Sequence, residues 1–154
     1  MRSVSAVQTF DATVAAAERC WCDTAGWERW IDGLERVLEV GGGWPEPGAS
    51  VTWESGPAGR GRVTERVSER EPLGGLTLEV DDPSIRGRQS VTFAPAASGV
   101  EVRLTLEYEL KRRSLVSPLV DLLFIRRAMA ASLNATVTRF GIELHKDRRW
   151  PGSV

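Results

Sequence analysis

Four polar side chains fall where the surrounding pattern calls for apolar ones. Side chains alternate from Arg60 to Arg70, and Glu65 shares a face with Val63 and Val67. Gln89 shares parity with Val91 and Phe93, and Tyr108 shares it with Leu106 and Leu110. Arg126 interrupts a stripe of helical spacing made by Leu119, Leu123, Ala130, Leu133, Val137, Phe140 and Leu144. A buried Glu or Arg is costly unless paired, so Glu65 and Arg126 must meet each other, reach water or line a wet cavity. Lining a cavity, Glu65 is a candidate acid/base whose acidity burial would shift. Arg126 is then a candidate holder of a carboxylate, phenolate or enolate. A one-residue slip of parity, or a bulge, puts either residue in solvent instead. The candidate catalytic groups are Glu65, Tyr108 and Arg126.

Tryptophans are the other notable residue type, six in all. Trp27, Trp30 and Trp53 are either an aromatic wall at a cavity mouth, each with an apolar face and an N–H donor, or ordinary core. Trp44, between Gly43 and Pro45, reads as the more exposed one, a lid or contact residue unless its loop tucks it in. Other chemistries find little support. The single histidine, His145, lies in a basic stretch near a helix end, so a Ser-His-Asp or Cys-His pair would depend on it alone. Cys20 and Cys22 fall about 200° apart around a helix, poor geometry for a bridge, and no second cysteine pair supports a metal site. Gly41-Gly42-Gly43 precedes Trp-Pro rather than a helix start, so it is no phosphate cradle. No cofactor is called for.

Composition narrows the class. The 154 residues fit one domain, residues 1–147, with a loose tail at 148–154. Hydrophobic and charged shares of 42% and 27% are those of a globular chain, and the net charge of −1 offers no general pull on nucleic acid or acidic lipid. No apolar run approaches the roughly 20 residues that span a bilayer, and no basic region followed by an apolar core opens the chain. With no bridge expected between the cysteines, a reduced, cytoplasmic setting is the expectation. Arg60, Arg62, Arg66 and Arg70 form a basic stripe on the opposite parity to Glu65. Glu54, Glu79, Glu101, Glu107 and Glu109 on neighbouring strands make cross-strand pairing the default for it, and Arg112-Arg113 and Arg126-Arg127 do not extend it.

The elements that must position these residues follow from periodicity. Ser3 to Thr9 alternates as a strand, and Asp11 looks like the cap of a helix carrying Val14, Ala17, Glu18 and Trp21. A second short helix holds Trp27, Trp30 and Ile31 and ends at Gly33. From Leu34 the period changes to two. Strands are expected at Val37–Val40, Val51–Glu54, Arg60–Arg70, Leu76–Val80, Arg88–Phe93 and Val100–Leu110, joined by Gly- and Pro-rich turns and hence antiparallel. Ser117 and Pro118 then start a helix that runs to about Lys146, some 45 Å at 1.5 Å per residue, with basic residues at its C-terminal end. The sheet is apolar on one face, and this helix is the element able to cover it. The fold class is α+β, a curved antiparallel sheet of about seven strands wrapped around a long C-terminal helix, with two short helices after the first strand.

That order resembles the helix-grip fold of the START/Bet v 1-like (SRPBCC) superfamily, and within it the bacterial polyketide cyclase/dehydrase-like group. The residues carrying the likeness are DTAGWERWIDGLERVLEV, GWPEPGASVTW and the helix from Pro118 to Leu144. The resemblance implies a cavity between sheet and helix for an apolar, aromatic or polyketide-like small molecule. It supplies no universal catalytic signature to carry over. Lining is expected from Trp27, Trp30, Trp53, Val63, Glu65, Leu78, Gln89, Val91, Phe93, Leu106, Tyr108, Leu123, Arg126, Ala130, Leu133 and Val137. Three roles follow. The chain binds, carries or senses such a molecule. It acts on one as a cyclase, dehydratase or hydrolase through Glu65, Tyr108 and Arg126. Or it docks a protein through the Arg stripe or Trp44, as Hsp90-activator or quinone-associated relatives do. Binding needs only the cavity, whereas docking requires charge reversal at Arg62 and Arg66 to abolish function. The expected partners are a hydrophobic small molecule and, for the chain itself, a monomer or homodimer; no nucleic acid and no stable membrane insertion are expected.

Overall fold

A computed structural model describes residues 1–57, 59–111 and 118–147, and the side chains of all of these except 118–122 and 147. Ser117, Arg112, Arg113 and the expected tail 148–154 lie outside the described residues. Alternation between apolar and polar residues becomes seven strands: β1 (Arg2–Phe10), β2 (Leu34–Val40), β3 (Ser50–Ser55), β4 (Arg62–Glu71), β5 (Gly75–Asp81), β6 (Ile85–Ala96) and β7 (Gly99–Leu110). Helices α1 (Val14–Cys22) and α2 (Trp27–Trp30) intervene between β1 and β2, and α3 (Pro118–Asp147) follows the sheet. Every strand pairing is antiparallel, in the order β1-β7-β6-β5-β4-β3-β2, so the first strand closes onto the last and the rest form a meander.

One face of this sheet is buried and one is wet. In β7, Val100, Val102, Leu104, Leu106 and Tyr108 are all at most 2% exposed, while their odd-numbered neighbours reach solvent. Glycine permits the tight passages. A Cβ on Gly87 would meet the backbone oxygen of Glu107 on the paired strand, and one on Gly141 would enter the Phe10 ring. Gly141 therefore lets α3 lie close against β1, the strand with which it makes its main sheet contact.

The first helix is capped by Thr13, whose side-chain oxygen accepts from the Ala16 N–H at 3.1 Å, rather than by Asp11. The long helix also differs from the expected stripe. Leu133, Val137, Phe140 and Leu144 are buried as anticipated. Toward the N-terminus the buried side continues through Met129 and Ile125, both half-buried, while Leu123 is 60% exposed and Arg126 is exposed. Steps of four residues back from Leu133 reach 129 and 125; residue 126 lies 100° further round and faces out. Two polar clamps hold the covered half of α3. The Asp32 N–H donates to the Thr136 hydroxyl at 3.0 Å, and Arg29 pairs with the nearly buried Glu143 at 2.7 Å. No described helix is long and apolar enough to cross a membrane.

Candidate functional site

Between the inner face of the sheet and α3 the space is divided in two. Under the C-terminal half of the helix it is filled. Trp21, Trp30 and Phe140 pack with ring centroids 4.6, 4.9 and 5.1 Å apart, and Phe93 reaches Trp21 from the sheet at 6.2 Å. Here Trp30 and Phe93 are core, as are Val91 and Val137. Aromatic edge-to-face contacts of this kind add to what burial contributes.

Beside that cluster lies a small polar space of about 30 Å³, bordered by Trp27, Trp53, Arg60, Glu65, Leu78, Gln89, Leu133 and Thr136, with Trp21, Ile31, Asp32, Leu104 and Ser132. The sheet register explains its making. Glu65 stands opposite Val51 on β3 and Val80 on β5, so its side chain enters the buried face. It is 3% exposed. Trp53, on the same face, donates its indole N–H to Glu65 Oε2 at 3.3 Å, and Gln89 Nε2 lies 3.5 Å from Oε1. Loss of water pushes the Glu65 carboxyl above its ordinary range; the Arg60 guanidinium and the Trp53 N–H pull weakly the other way.

Arg60 is the residue that the sequence pattern misplaced. The alternation from Arg60 assigned it to the outer basic stripe, but β4 begins at Arg62. Gly61, at φ +78°, turns the chain there, bonding through its N–H to the Ser55 hydroxyl at 2.7 Å. Arg60 therefore curls inward. Its Nε donates to Asp82 at 2.6 Å, and its guanidinium lies 5.7 Å from the centre of the Trp53 ring. Asp82 is buried and also caps the β5–β6 turn, accepting from the N–H groups of Ser84 and Ile85 at 2.7 and 2.8 Å. Arg60 Nη2 is buried with no hydrogen-bond partner. The stripe is shortened at its other end too, where Arg70 pairs with Glu18 and Glu46. Arg62 and Arg66 remain exposed.

Of the other expected residues, Trp27, Trp53, Glu65, Leu78, Gln89 and Leu133 gather at the polar space. Tyr108 is fully buried on the same face but farther along β7, opposite Gly87, and its hydroxyl has no partner. Val63 and Leu106 are buried beneath, and Ala130 is half-buried on α3. Leu123 and Arg126 do not join them, because both lie on the exposed side of α3; Glu65 meets Trp53 and Gln89 rather than Arg126. Trp44 is tucked in rather than offered outward. Its ring meets Trp27 edge-on at 5.5 Å and its N–H donates to the Cys22 carbonyl at 2.9 Å. Cys20 and Cys22 are not joined in a disulfide, and burial with the nearby Glu18 carboxylate pushes Cys22 up to about 11, which leaves it a poor nucleophile. A separate open groove of about 510 Å³ runs on the outside between the end of β1 and the last turns of α3, lined by Phe10, Ala12, Thr138, Gly141, Ile142 and His145 among others.

Comparison with known proteins agrees with this fold. The family described as polyketide cyclase / dehydrase and lipid transport matches residues 1–141. No curated protein matches the chain by sequence. Among solved structures, the Zhui aromatase/cyclase from Streptomyces sp. R1128 is similar with a TM-score of 0.79 at 15% identity, covering 99% of each chain. A protein of unknown function from Staphylococcus aureus, SA2116, follows at 0.76 and 8% identity, covering 97% of this chain and 96% of that one. TTHA0849 from Thermus thermophilus is similar at 0.72 and 17% identity, covering 94% of this chain and 98% of the other. At these identities the likeness is one of fold.

Proposed function

The chain belongs to the polyketide cyclase/dehydrase and lipid transport family of the START/Bet v 1-like superfamily, and on that premise we propose that it binds a hydrophobic small molecule, aromatic or polyketide-like, between its sheet and α3. The observation that carries the reading is the polar space itself. Arg60, Glu65 and Gln89, with Asp32, Ser132 and Thr136, converge among Trp, Leu and Ile side chains, a mixture in which polar groups can set the orientation of an apolar ligand. A ring does not fit in about 30 Å³. The helix residues at the border of this space are Ser132, Leu133 and Thr136, so a ring enters only if α3 moves away from the sheet there.

A second reading, a cyclase- or dehydratase-type enzyme, is favoured by one observation: a buried carboxyl whose acidity has been moved toward neutrality. Enolisation and loss of water both need a group that takes up and returns a proton, and Glu65 is suited to that. The Tyr108 hydroxyl, buried without a partner, is the further donor such chemistry would use.

The test is native mass spectrometry of the purified chain followed by a thermal-shift screen of aromatic polyketides, flavonoids, quinones and fatty acids. A ligand at about 100 times its dissociation constant adds roughly 2.7 kcal/mol of stability, a rise of several degrees for a chain this size. Turnover of the stabilising compound, lost in Glu65→Gln, decides for the enzyme. Absence of any stabilising compound from all four classes contradicts both readings.

A further inference from the structure

Resting on the ligand-binding reading, we infer that Arg60 and Glu65 together recognise one hydroxyl group of the ligand, phenolic or enolic, with Arg60 Nη2 donating to its oxygen and Glu65 accepting its hydrogen. Three observations lead there. Arg60 Nη2 is buried and unpartnered although the rest of the guanidinium is anchored on Asp82 and over Trp53, so a donor is held in a fixed place with nothing to donate to. A buried donor left in that state is costly, and a ligand oxygen would relieve it. Glu65 borders the same space and offers acceptor capacity beyond the one N–H bond from Trp53 and the long contact to Gln89. The space has room for a single small group.

The charges select among the oxygens a ligand can present. A carboxylate entering here would meet Arg60, but that guanidinium is already paired with the Asp82 carboxylate, and Glu65 stands opposite. A ketone oxygen accepts from Arg60 and leaves Glu65 unmatched. A hydroxyl accepts and donates through one atom, and so satisfies both sides at once.

The experiment compares three probes of one shape, 2-naphthol, 2-methoxynaphthalene and naphthalene, by calorimetric titration of the full chain and of Glu65→Gln and Arg60→Gln. Wild type is expected to bind 2-naphthol at least about tenfold more tightly than the other two, which corresponds to about 1.4 kcal/mol. Each variant is expected to reduce that preference to within about threefold. If the Arg60 variant unfolds because Asp82 loses its partner, Glu65→Gln, which preserves shape, decides alone. Three probes binding wild type alike, as they would if the space held only a water, or a 2-naphthol preference that survives in Glu65→Gln, overturns the inference and leaves the ligand-binding reading standing. Failure of all three to bind, while the thermal-shift screen finds a larger aromatic ligand with no hydroxyl, overturns it as well. Failure of all three together with an empty screen overturns the ligand-binding reading with it.

Discussion

Placing the Glu65 carboxyl between Val51 and Val80 removes it from water, and one indole N–H returns only part of what is lost. The consequence is a definite pH dependence. Because the folded carboxyl keeps its proton to higher pH than the unfolded one, the unfolded chain binds fewer protons throughout the window between the two values. Its contribution to stability is full below the unfolded value and is lost as pH rises through the folded one. Glu65→Gln should therefore unfold near the wild-type temperature at about pH 4 and above it at about pH 8, as read by circular dichroism. Equal midpoints at both pH values would mean that Glu65 is solvated. The tryptophans make a second contrast. Trp27 Nε1 donates to the Trp21 carbonyl at 2.8 Å, whereas Trp30 Nε1 is buried with no partner. Replacing each by Phe removes similar apolar surface, so Trp27→Phe should cost about 1 kcal/mol more than Trp30→Phe in urea titrations.

At the scale of elements, what depends on local periodicity could be read from the chain and what depends on a turn's geometry could not. Alternation in Val100–Leu110 and the 3.6-residue recurrence of Leu133, Val137, Phe140 and Leu144 each translate into a buried face, because side-chain direction follows directly from the period. Glu65, Gln89 and Tyr108 were legible by the same rule. Arg60 was not, because a positive φ at Gly61 separates it from the strand, whose alternation begins only at Arg62. Its partner Asp82 is 22 residues away in a different turn. Arg126 failed for a different reason: several rows of residues recur at steps of three and four on a long helix, and the sheet chooses among them. Gly141 reads from sequence as a helix-weakening glycine, yet its role is to let α3 approach Phe10. Gly141→Ala should accordingly destabilise the chain by about 1–3 kcal/mol despite alanine's better helix propensity, measured by chemical unfolding. A gain in stability would show that the Phe10 ring yields without cost.

For the whole molecule, the division of the helix–sheet space decides what the fold can do. The aromatic cluster of Trp21, Trp30, Phe93 and Phe140 closes one half and ties α1, α2, β6 and α3 into one core. The polar groups lie beside it, where Trp53, Arg60, Glu65 and Gln89 share a small space with Leu133 and Thr136 of α3. A ligand entering there would lean on a rigid floor. The docking alternative rests on Arg62 and Arg66 alone, since Arg60 and Arg70 are engaged in ion pairs and Trp44 is packed on Trp27. The most direct test of the binding site is the set of indole N–H signals in nitrogen-15 correlation spectra, followed as the most stabilising aromatic compound is added. A site between sheet and α3 predicts that the Trp53 and Trp27 signals move in proportion to saturation while the backbone signals of Thr138, Ile142 and Lys146 along the outer groove stay in place. Movement confined to that outer groove, with Trp53 and Trp27 unmoved, would contradict it.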